Sequence, residues 1–157
     1  NRVSTVLDLL EETSGKVVIF AVFQTDITEL ERAIKEKFGE NSAASYYGKT
    51  PQDQRQKIID KFQDPEDDLK YFISNPQTGG RGITLTEAST MIFYSNSYDL
   101  ELRVQAEDRI HRIGQQRSCT YIDLVAQNTV DEQILRNLLN KVKISNEVLG
   151  EVRNWFE

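Results

Sequence analysis

A chain of 157 residues, of which 38% are hydrophobic and 28% charged, is long enough for one domain with a substantial core. Its longest apolar run, residues 17–23, is far too short to span a bilayer, and no signal peptide is visible, so membrane and secreted classes are excluded in favour of the cytoplasm or a nucleus. A net charge of −6 argues mildly against nucleic-acid binding, and the single cysteine, Cys119, excludes a disulfide framework and a cysteine-based metal site.

Helices and strands are predicted to alternate in the first half of the chain. Residues 17–23 form a continuous β-branched and aromatic run, as expected for a central strand that is buried on both faces. Asp26 and Glu29 form a capping-box pattern, which predicts the start of a helix that Gly39 ends. The other elements predicted here are a helix with an apolar stripe from Val3 to Leu10, a short strand over 44–47, and a helix that starts at Thr50–Pro51 and ends at 64–65.

The second half continues the same alternation. Its predicted elements are a strand over 71–74, a glycine-rich turn over 79–82 at a helix start, a strand over 91–94, an arginine-bearing helix, a strand over 121–125 and a final helix over 129–150. Strands separated by helices pair in parallel through right-handed crossovers, so the predicted fold class is α/β, a three-layer sandwich around a mostly parallel sheet. Sites in such sheets lie at the carboxyl ends of the strands, here the loops after Phe23, Tyr47, Ser74 and Tyr94.

Two arginines distinguish residues 105–115, which have the sequence Gln-Ala-Glu-Asp-Arg-Ile-His-Arg-Ile-Gly-Gln. A helix here places Gln105, Arg109 and Arg112 on one face. The neighbouring apolar stripe faces a core and consists of Leu102, Ala106, Ile110 and Ile113. Two guanidiniums held side by side suit the neutralisation of a transferring phosphoryl group, so the functional interpretation is an arginine finger in nucleotide hydrolysis. The alternative is a salt-bridged surface helix, in which Asp108 and Arg112 pair four residues apart.

Glycines dominate the segment after the third predicted strand. Residues 75–86 have the sequence Asn-Pro-Gln-Thr-Gly-Gly-Arg-Gly-Ile-Thr-Leu-Thr. Gly80 and Gly82 carry no side chains, so backbone amides in this loop can approach phosphates closely. The alternative is a connection that merely requires positive φ angles.

A third block covers residues 47–55, Tyr-Gly-Lys-Thr-Pro-Gln-Asp-Gln-Arg. Gly48 permits a close approach to the backbone, and Arg55, one turn into the helix, is within reach of a phosphate. The alternative is a plain helix start with a solvated arginine. The tripeptide Gly48-Lys49-Thr50 imitates the end of a Walker A loop, but Ala43 stands where that loop requires glycine, so no P-loop is predicted.

These segments resemble the motifs of the Swi/Snf-type double-stranded-DNA translocases, which belong to the second superfamily of helicases. Residues 105–115 resemble motif VI, and residues 75–86 with their continuation to Tyr94 resemble motif V. Residues 47–55 resemble a block of helicase second lobes, and Phe23-Gln24-Thr25 resembles the end of motif IV. The four segments occur in the family's order. The resemblance implies a RecA-like second lobe without a P-loop over residues 1–128, with a brace helix and tail packed on it over residues 129–157.

The resemblance also implies roles for individual residues. Arg109 and Arg112 are expected to be the catalytic arginine fingers. The residues expected near the nucleotide are Gln105, Gly80, Gly82 and Thr84. The residues expected to contact the DNA backbone are Gln24, Thr25, Gly48, Lys49, Arg55, Asn75 and Thr78. At 75–77 the chain has Asn-Pro-Gln where the family usually has Ser or Thr followed by Lys or Ala.

ATP and Mg²⁺ are expected to be bound mainly by the N-terminal RecA-like lobe of the same protein, since no metal ligand is predicted in this chain. Double-stranded DNA is the other implied partner, and no membrane is. The chain begins at Asn1 directly in a helical pattern, as is typical of a piece of a longer protein. Alone, the chain is expected to be an inactive monomer. It is expected to be half of a DNA-dependent ATPase, which works in a nucleus or in the cytoplasm of a bacterial or phage-infected cell. Two alternatives are a degenerate helicase-like lobe that serves as a protein-interaction or nucleic-acid-binding scaffold, and a stand-alone nucleotide-binding module.

Overall fold

Helices and strands alternate along the described part of the chain, except that the third and fourth strands are consecutive elements. The computed structural model describes residues 1–77, 83–97, 99–126 and 130–149, with side chains of the last helix described as far as Lys141. The elements in this part of the chain are α1 (Arg2–Glu12), β1 (Lys16–Phe20), α2 (Gln24–Phe38), β2 (Ala43–Tyr46), α3 (Gln52–Gln63), β3 (Tyr71–Ser74), β4 (Ala88–Phe93), α4 (Leu100–Glu107), β5 (Thr120–Asp123) and α5 (Val130–Leu149).

The five strands form one sheet in the order β2-β3-β1-β4-β5, and every neighbouring pair is parallel. The central strand β1 is buried along its whole length, because it has a strand on each side and helices on both faces. Val18, for example, lies opposite Phe72 of β3 and Met91 of β4. The predicted α/β class is confirmed, and the sheet is entirely parallel rather than mostly so.

The two faces of the sheet support two separate cores, because successive side chains of a strand point to opposite faces. Val17 and Ile19 pack with α1 and α2 on one face. Val18 and Phe20 pack on the other face with α3 and α4, which contribute Phe62 and Ala106. The architecture is therefore the three-layer sandwich predicted from the alternation of elements.

Two predicted boundaries near the first strand are wrong. β1 ends at Phe20, three residues earlier than predicted, and the Phe23 side chain is exposed. The helix that follows begins at Gln24 instead of Asp26, because the Phe23 carbonyl accepts the amides of both Asp26 and Ile27. The predicted capping box therefore does not form. The predicted end at Gly39 is confirmed, with φ of +119°.

Two other predicted helix starts also differ. Thr50 does not cap α3, because its hydroxyl accepts the Tyr47 amide and donates to the Ser45 carbonyl. No helix follows the glycine-rich segment among residues 83–87, where one was predicted to start. Thr129, the predicted cap of the last helix, lies outside the described residues. No helix in the described part of the chain has both the length and the apolar character that a bilayer crossing requires.

Candidate functional site

The arginine-bearing segment lies on a turn that follows a short helix, and the predicted continuous helix is wrong. α4 ends at Glu107, so Arg109 and Arg112 lie beyond it. Beyond Glu107 the chain tightens, because the amides of Arg109 and Ile110 bond to carbonyls three residues back, those of Ala106 and Glu107, and carbonyls further on have other donors. The Arg109 carbonyl accepts the Leu85 amide at 2.8 Å, and the Ile110 carbonyl accepts the Gln115 side-chain amide at 3.0 Å.

The predicted helical face and apolar stripe are lost with the helix. Gln105 remains on α4, where its side-chain amide donates to Glu101 at 3.3 Å, and it does not share a helical face with the two arginines. Ala106 and Ile110 are buried as predicted, and Leu102 is half-buried. Ile113 is fully exposed, at 101% of its reference area, so its predicted place in a core is wrong.

Arg109 is buried, with only 4% of its surface exposed, and is not aimed outward as predicted. Its guanidinium donates to the Pro76 carbonyl at 3.2 Å and lies 5.1 Å from the centre of the Phe20 ring. Burial lowers the pKa of Arg109 to about 10, whereas the smaller electrostatic effect of Tyr46 raises it. The side chain is therefore still a cation at neutral pH. Arg109 is therefore a buried cation that is bonded to Pro76, just before the glycine-rich residues.

Arg112 is exposed, and its guanidinium donates to the Ile83 carbonyl at 3.2 Å. The predicted alternative of an Asp108–Arg112 ion pair is not observed: in the part of the chain that the structure describes, Arg112 pairs with no carboxylate. The two arginines therefore bond to the carbonyls on either side of residues 78–82. Gly80, Gly82 and Thr78 lie in that segment, outside the described residues, and Thr84 is half-buried just after it.

The turn is also tied to the start of β4 by two residues that the sequence interpretation did not assign. The Gln115 side-chain amide donates to the carbonyls of Thr86 and Ala88 at 3.1 and 2.8 Å. The Arg117 guanidinium donates to the carbonyls of Thr86 and Glu87. Because these bonds join residues nearly thirty positions apart, no local pattern predicts them.

A buried ionic cluster anchors α4 to the sheet and was also missed. Arg103 donates to both carboxylate oxygens of Asp123 at 2.6 and 3.1 Å, to Glu107 at 2.9 Å and to Asn96 at 2.9 Å. Its guanidinium stacks 3.5 Å from the centre of the Phe93 ring. Burial alone would lower the pKa of Arg103, but hydrogen bonds and charges of Asp123 and Glu107 outweigh it and raise that pKa. The four-residue spacing of Arg103 and Glu107 was the available sequence signal.

Apart from Thr78, which lies outside the described residues, the predicted DNA-contacting residues lie in loops or first helical turns that follow β1, β2 and β3. Gln24 and Thr25 are exposed in the first turn of α2. Gly48 and Lys49 are exposed after β2, and a Cβ added to Gly48 would meet nothing within 4 Å. Asn75 is half-buried after β3, and its side-chain carbonyl accepts the Gln77 amide at 3.2 Å.

Arg55 differs from the other predicted DNA contacts because it faces its own loop. Its guanidinium donates to the carbonyls of Thr50, Tyr47 and Gly48 at 3.2, 3.5 and 3.4 Å. It also lies 5.7 Å from the centre of the Tyr46 ring. The structure therefore places Arg55 where it supports the loop that displays Gly48 and Lys49, rather than extended towards an external phosphate.

A small pocket lies at this edge between Val22, Asn75, Pro76, Gln77, Ser97 and Leu102. Its volume is about 60 Å³, whereas pockets for small ligands measure about 300 Å³ or more. A larger cavity of about 520 Å³ lies near the amino ends of β2 and β3, away from the arginines, between residues such as Lys35, Lys61 and Asp67. Among the described residues, the carboxyl edge thus presents the two arginines and loops beside a small pocket.

Comparisons with known proteins identify the family of this chain. The helicase conserved C-terminal domain family matches residues 1–114. The chain is 30% identical over 148 residues, or 94% of its length, to the Mus musculus protein "SWI/SNF-related matrix-associated actin-dependent regulator of chromatin subfamily A member 1", of which it covers 14%. It is 35% identical over 132 residues, or 82% of its length, to the ATP-dependent helicase fft2 of Schizosaccharomyces pombe, of which it covers 10%.

A third relative, the helicase swr1 of Schizosaccharomyces pombe, is 38% identical over 112 residues, which are 69% of this chain and 9% of that protein. The chain thus spans 14% or less of each of these three relatives. The crystal structure of the C-terminal part of the Fun30 ATPase domain superposes with a TM-score of 0.77 at 24% identity, covering 96% of this chain and 55% of that one. This likeness shows that the two share a fold.

Proposed function

The chain belongs to the helicase conserved C-terminal domain family, among its SWI/SNF-related members, and from this membership we propose that it is the second motor lobe of an ATPase that translocates on double-stranded DNA. In this proposal the lobe supplies an arginine finger to an ATP that is bound mainly by the N-terminal RecA-like lobe of the same protein. The names of the relatives fft2 and swr1 include the word helicase, and that of fft2 also states ATP dependence, which supports the assignment.

One observation carries the proposal: Arg112 is an exposed cation at the carboxyl edge whose described acceptor is a single carbonyl, that of Ile83. A guanidinium binds a phosphate more strongly than a neutral carbonyl, because the phosphate carries the opposite charge and can accept two parallel N–H bonds. A triphosphate presented by the other lobe would therefore displace the Ile83 carbonyl. Arg112 would then neutralise charge that develops on the γ-phosphate.

Mg²⁺ bound together with ATP would neutralise part of the charge of the phosphates. Among the residues that the structure describes, no group of three or more His, Cys, Asp or Glu side chains is placed to hold a metal ion. In the proposal, this chain contributes the Arg112 cation.

Arg109 has two possible roles that the same enzyme assay separates. As a second finger it would have to leave the Pro76 carbonyl and its buried position. As a positioning residue it would stay in place and hold the start of the glycine-rich loop. An Arg109→Lys variant distinguishes them, because a positioning role predicts a lower melting temperature together with a lower turnover, whereas a finger role predicts a lower turnover alone.

The DNA track is proposed to run over the exposed loops at the carboxyl edge. Its members are Gln24, Thr25, Gly48, Lys49, Asn75 and Thr78, with Arg55 holding the Gly48 loop in place. Backbone contacts of this kind position a protein on a duplex without specifying a sequence. Because the net charge of this chain is −6, we propose that much of the affinity for DNA phosphates comes from the other lobe.

The proposal is tested with Arg112→Ala in the full-length protein. We expect DNA-stimulated ATP hydrolysis to fall by roughly a thousandfold or more, because an arginine finger typically contributes that factor. ATP binding should remain close to that of the wild type, since the N-terminal lobe holds the phosphates. Arg32→Ala is the matched control, because that arginine lies exposed on α2. Wild-type turnover in the Arg112 variant would reject the finger and with it the proposed function.

A further inference from the structure

The end of α3 is bonded to the segment that leads into β4. Gln63, the last residue of α3, donates from its side-chain amide to the Thr86 hydroxyl at 3.1 Å, and its side-chain carbonyl accepts the Glu87 amide at 2.9 Å. These two partners lie 23 and 24 positions away in the sequence. Two hydrogen bonds from one planar group fix direction as well as distance, so Gln63 holds α3 and residues 86–87 in one geometry.

The same segment also supports the arginine turn. The Gln115 side-chain amide donates to the Thr86 carbonyl at 3.1 Å, and the Gln115 backbone amide donates to the Arg112 carbonyl at 3.0 Å. The Arg112 guanidinium donates to the first carbonyl of residues 83–88 at 3.2 Å. This segment is therefore a common support, to which Gln63 attaches α3 and Gln115 attaches the turn that bears Arg112.

The opposite end of α3 adjoins the proposed DNA track. α3 begins at Gln52, shortly after the loop that displays Gly48 and Lys49, and Arg55 in its first turn donates to the Gly48 carbonyl at 3.4 Å. A helix of 12 residues is about 18 Å long and moves as a rigid rod, because each turn is bonded to the next. A displacement of the loop at one end of α3 therefore reaches Gln63 at the other end.

We infer that Gln63 is a positioning residue that couples DNA binding at the start of α3 to the placement of Arg112. The inference rests on the proposed function, which assigns DNA to the loop before α3 and a triphosphate to Arg112. The path is contiguous, since it consists of α3, the Gln63 side chain, residues 86–87 and the Gln115 amide groups. Without the Gln63 bonds, residues 83–88 and the arginine turn stay joined by Gln115, but α3 can shift without moving them.

The test is Gln63→Met in the full-length protein, with the ratio of DNA-stimulated to DNA-free ATP hydrolysis as the measurement. Methionine has nearly the length and volume of glutamine but no amide, so the packing is kept and both hydrogen bonds are lost. We expect the ratio to fall by about tenfold, which is the factor that two neutral hydrogen bonds of ordinary strength supply. The half-saturating concentrations of duplex DNA and of ATP should stay at their wild-type values, because Gln63 belongs to neither binding surface.

Two further variants isolate the hydrogen bonds of Gln63. In Gln63→Glu the carboxylate still accepts the Glu87 amide, and it can accept the Thr86 hydroxyl, which donates as readily as it accepts. This variant should therefore recover most of the ratio. Gln56→Met is the matched control, because it makes the same substitution in the same helix at an exposed glutamine, whose side chain donates to Asp60 at 2.9 Å. It should leave the ratio at the wild-type value.

A purely structural role of Gln63 gives a different result. Loss of folded protein lowers the DNA-stimulated and the DNA-free rates by the same factor, so an unchanged ratio in Gln63→Met would overturn the coupling. An equal fall of the ratio in Gln56→Met or in Gln63→Glu would overturn it too, because the effect would then not depend on the two hydrogen bonds. Arg112→Ala, measured in parallel, tests the proposed function itself. If that variant is inactive while Gln63→Met keeps the wild-type ratio, the coupling is wrong and the proposed function stands.

Discussion

Arg103 and Asp123 form a buried two-point ion pair, with nitrogen–oxygen distances of 2.6 and 3.1 Å, that joins α4 to the edge strand β5. Only 3% of the Arg103 side chain and 8% of the Asp123 side chain are exposed. Glu107 completes the cluster from the next turn of α4. The cluster thus fixes the helix that leads into the arginine turn, and it does so where water cannot replace a lost partner.

We expect Arg103→Met to lower the free energy of unfolding by about 3–5 kcal/mol, because the substitution leaves buried carboxylates without their cation. Urea denaturation of the 157-residue chain, followed by circular dichroism, measures the change. Adding Asp123→Leu to the same variant should recover part of the loss, since it removes one of the orphaned charges. A loss below about 1 kcal/mol, the value typical of exposed pairs, would contradict this prediction.

Stability is expected to depend on the ionisation of Asp26, in the first turn of α2. Burial, opposed by Arg2 and assisted by Glu29, raises the pKa of Asp26 above its ordinary value of 3.8. A raised pKa means that the folded state favours the protonated carboxyl. The contribution of Asp26 to the free energy of unfolding is therefore fully present below pH 3.8 and is lost as the pH rises through the folded-state pKa. Asp26→Asn, which mimics the protonated group, should therefore stabilise the fold at pH 7.

The advantage of Asp26→Asn should shrink as the pH falls and disappear below about 3.8, where the wild-type group is protonated in both states. Urea denaturation as a function of pH is the measurement. Asp8→Asn removes a carboxylate from the exposed surface of α1 and controls for the change in net charge. A stabilisation that is equal at pH 3 and pH 7 would show that the effect is not due to ionisation.

Two glycines in the candidate site should respond differently to the same substitution. Gly114 has φ of +101°, so Gly114→Ala forces an unfavourable backbone conformation and should cost about 1–3 kcal/mol of stability, although the added Cβ meets open space. Gly48 has no positive φ and its added Cβ also meets nothing, so Gly48→Ala should leave stability unchanged. Equal effects of the two substitutions on the urea midpoint would show that backbone conformation is not the cause.

The 157-residue chain alone is expected to hydrolyse no ATP, either with or without duplex DNA. The reason is that its sequence has no P-loop to hold the phosphates. Release of inorganic phosphate by the purified chain measures this, with the full-length protein as the positive control. Sustained turnover by a pure preparation, abolished by Arg112→Ala, would mean that this lobe holds the nucleotide by itself.

The alternation of strands and helices could be predicted because it depends on the local pattern of apolar and polar residues. β3 was predicted with both boundaries correct, since Tyr71–Ser74 is apolar and is flanked by polar segments. The motif-like segments also predicted the family, because their order along the chain does not depend on any contact. Errors appeared where a boundary depends on a distant partner. β1 ends at Phe20, for example, because the hydroxyl of Ser95, 73 residues away in the sequence, accepts a hydrogen bond from the Val22 amide.

By itself, the sequence determined the parallel α/β sheet, the two apolar faces that cover it, and the family to which the chain belongs. Residue spacing and periodicity are sufficient to predict the sheet, its apolar faces and the family, because all three depend on residues that are close together in the sequence. Only the tertiary structure decided where the arginine side chains lie. Leu85 and Gln115 take the carbonyls that would have continued α4, so Arg109 turns inward, Arg112 stays at the edge and Ile113 faces solvent. Leu85 lies 24 residues before Arg109 in the sequence, so their hydrogen bond is fixed by the folded chain and no local pattern contains it.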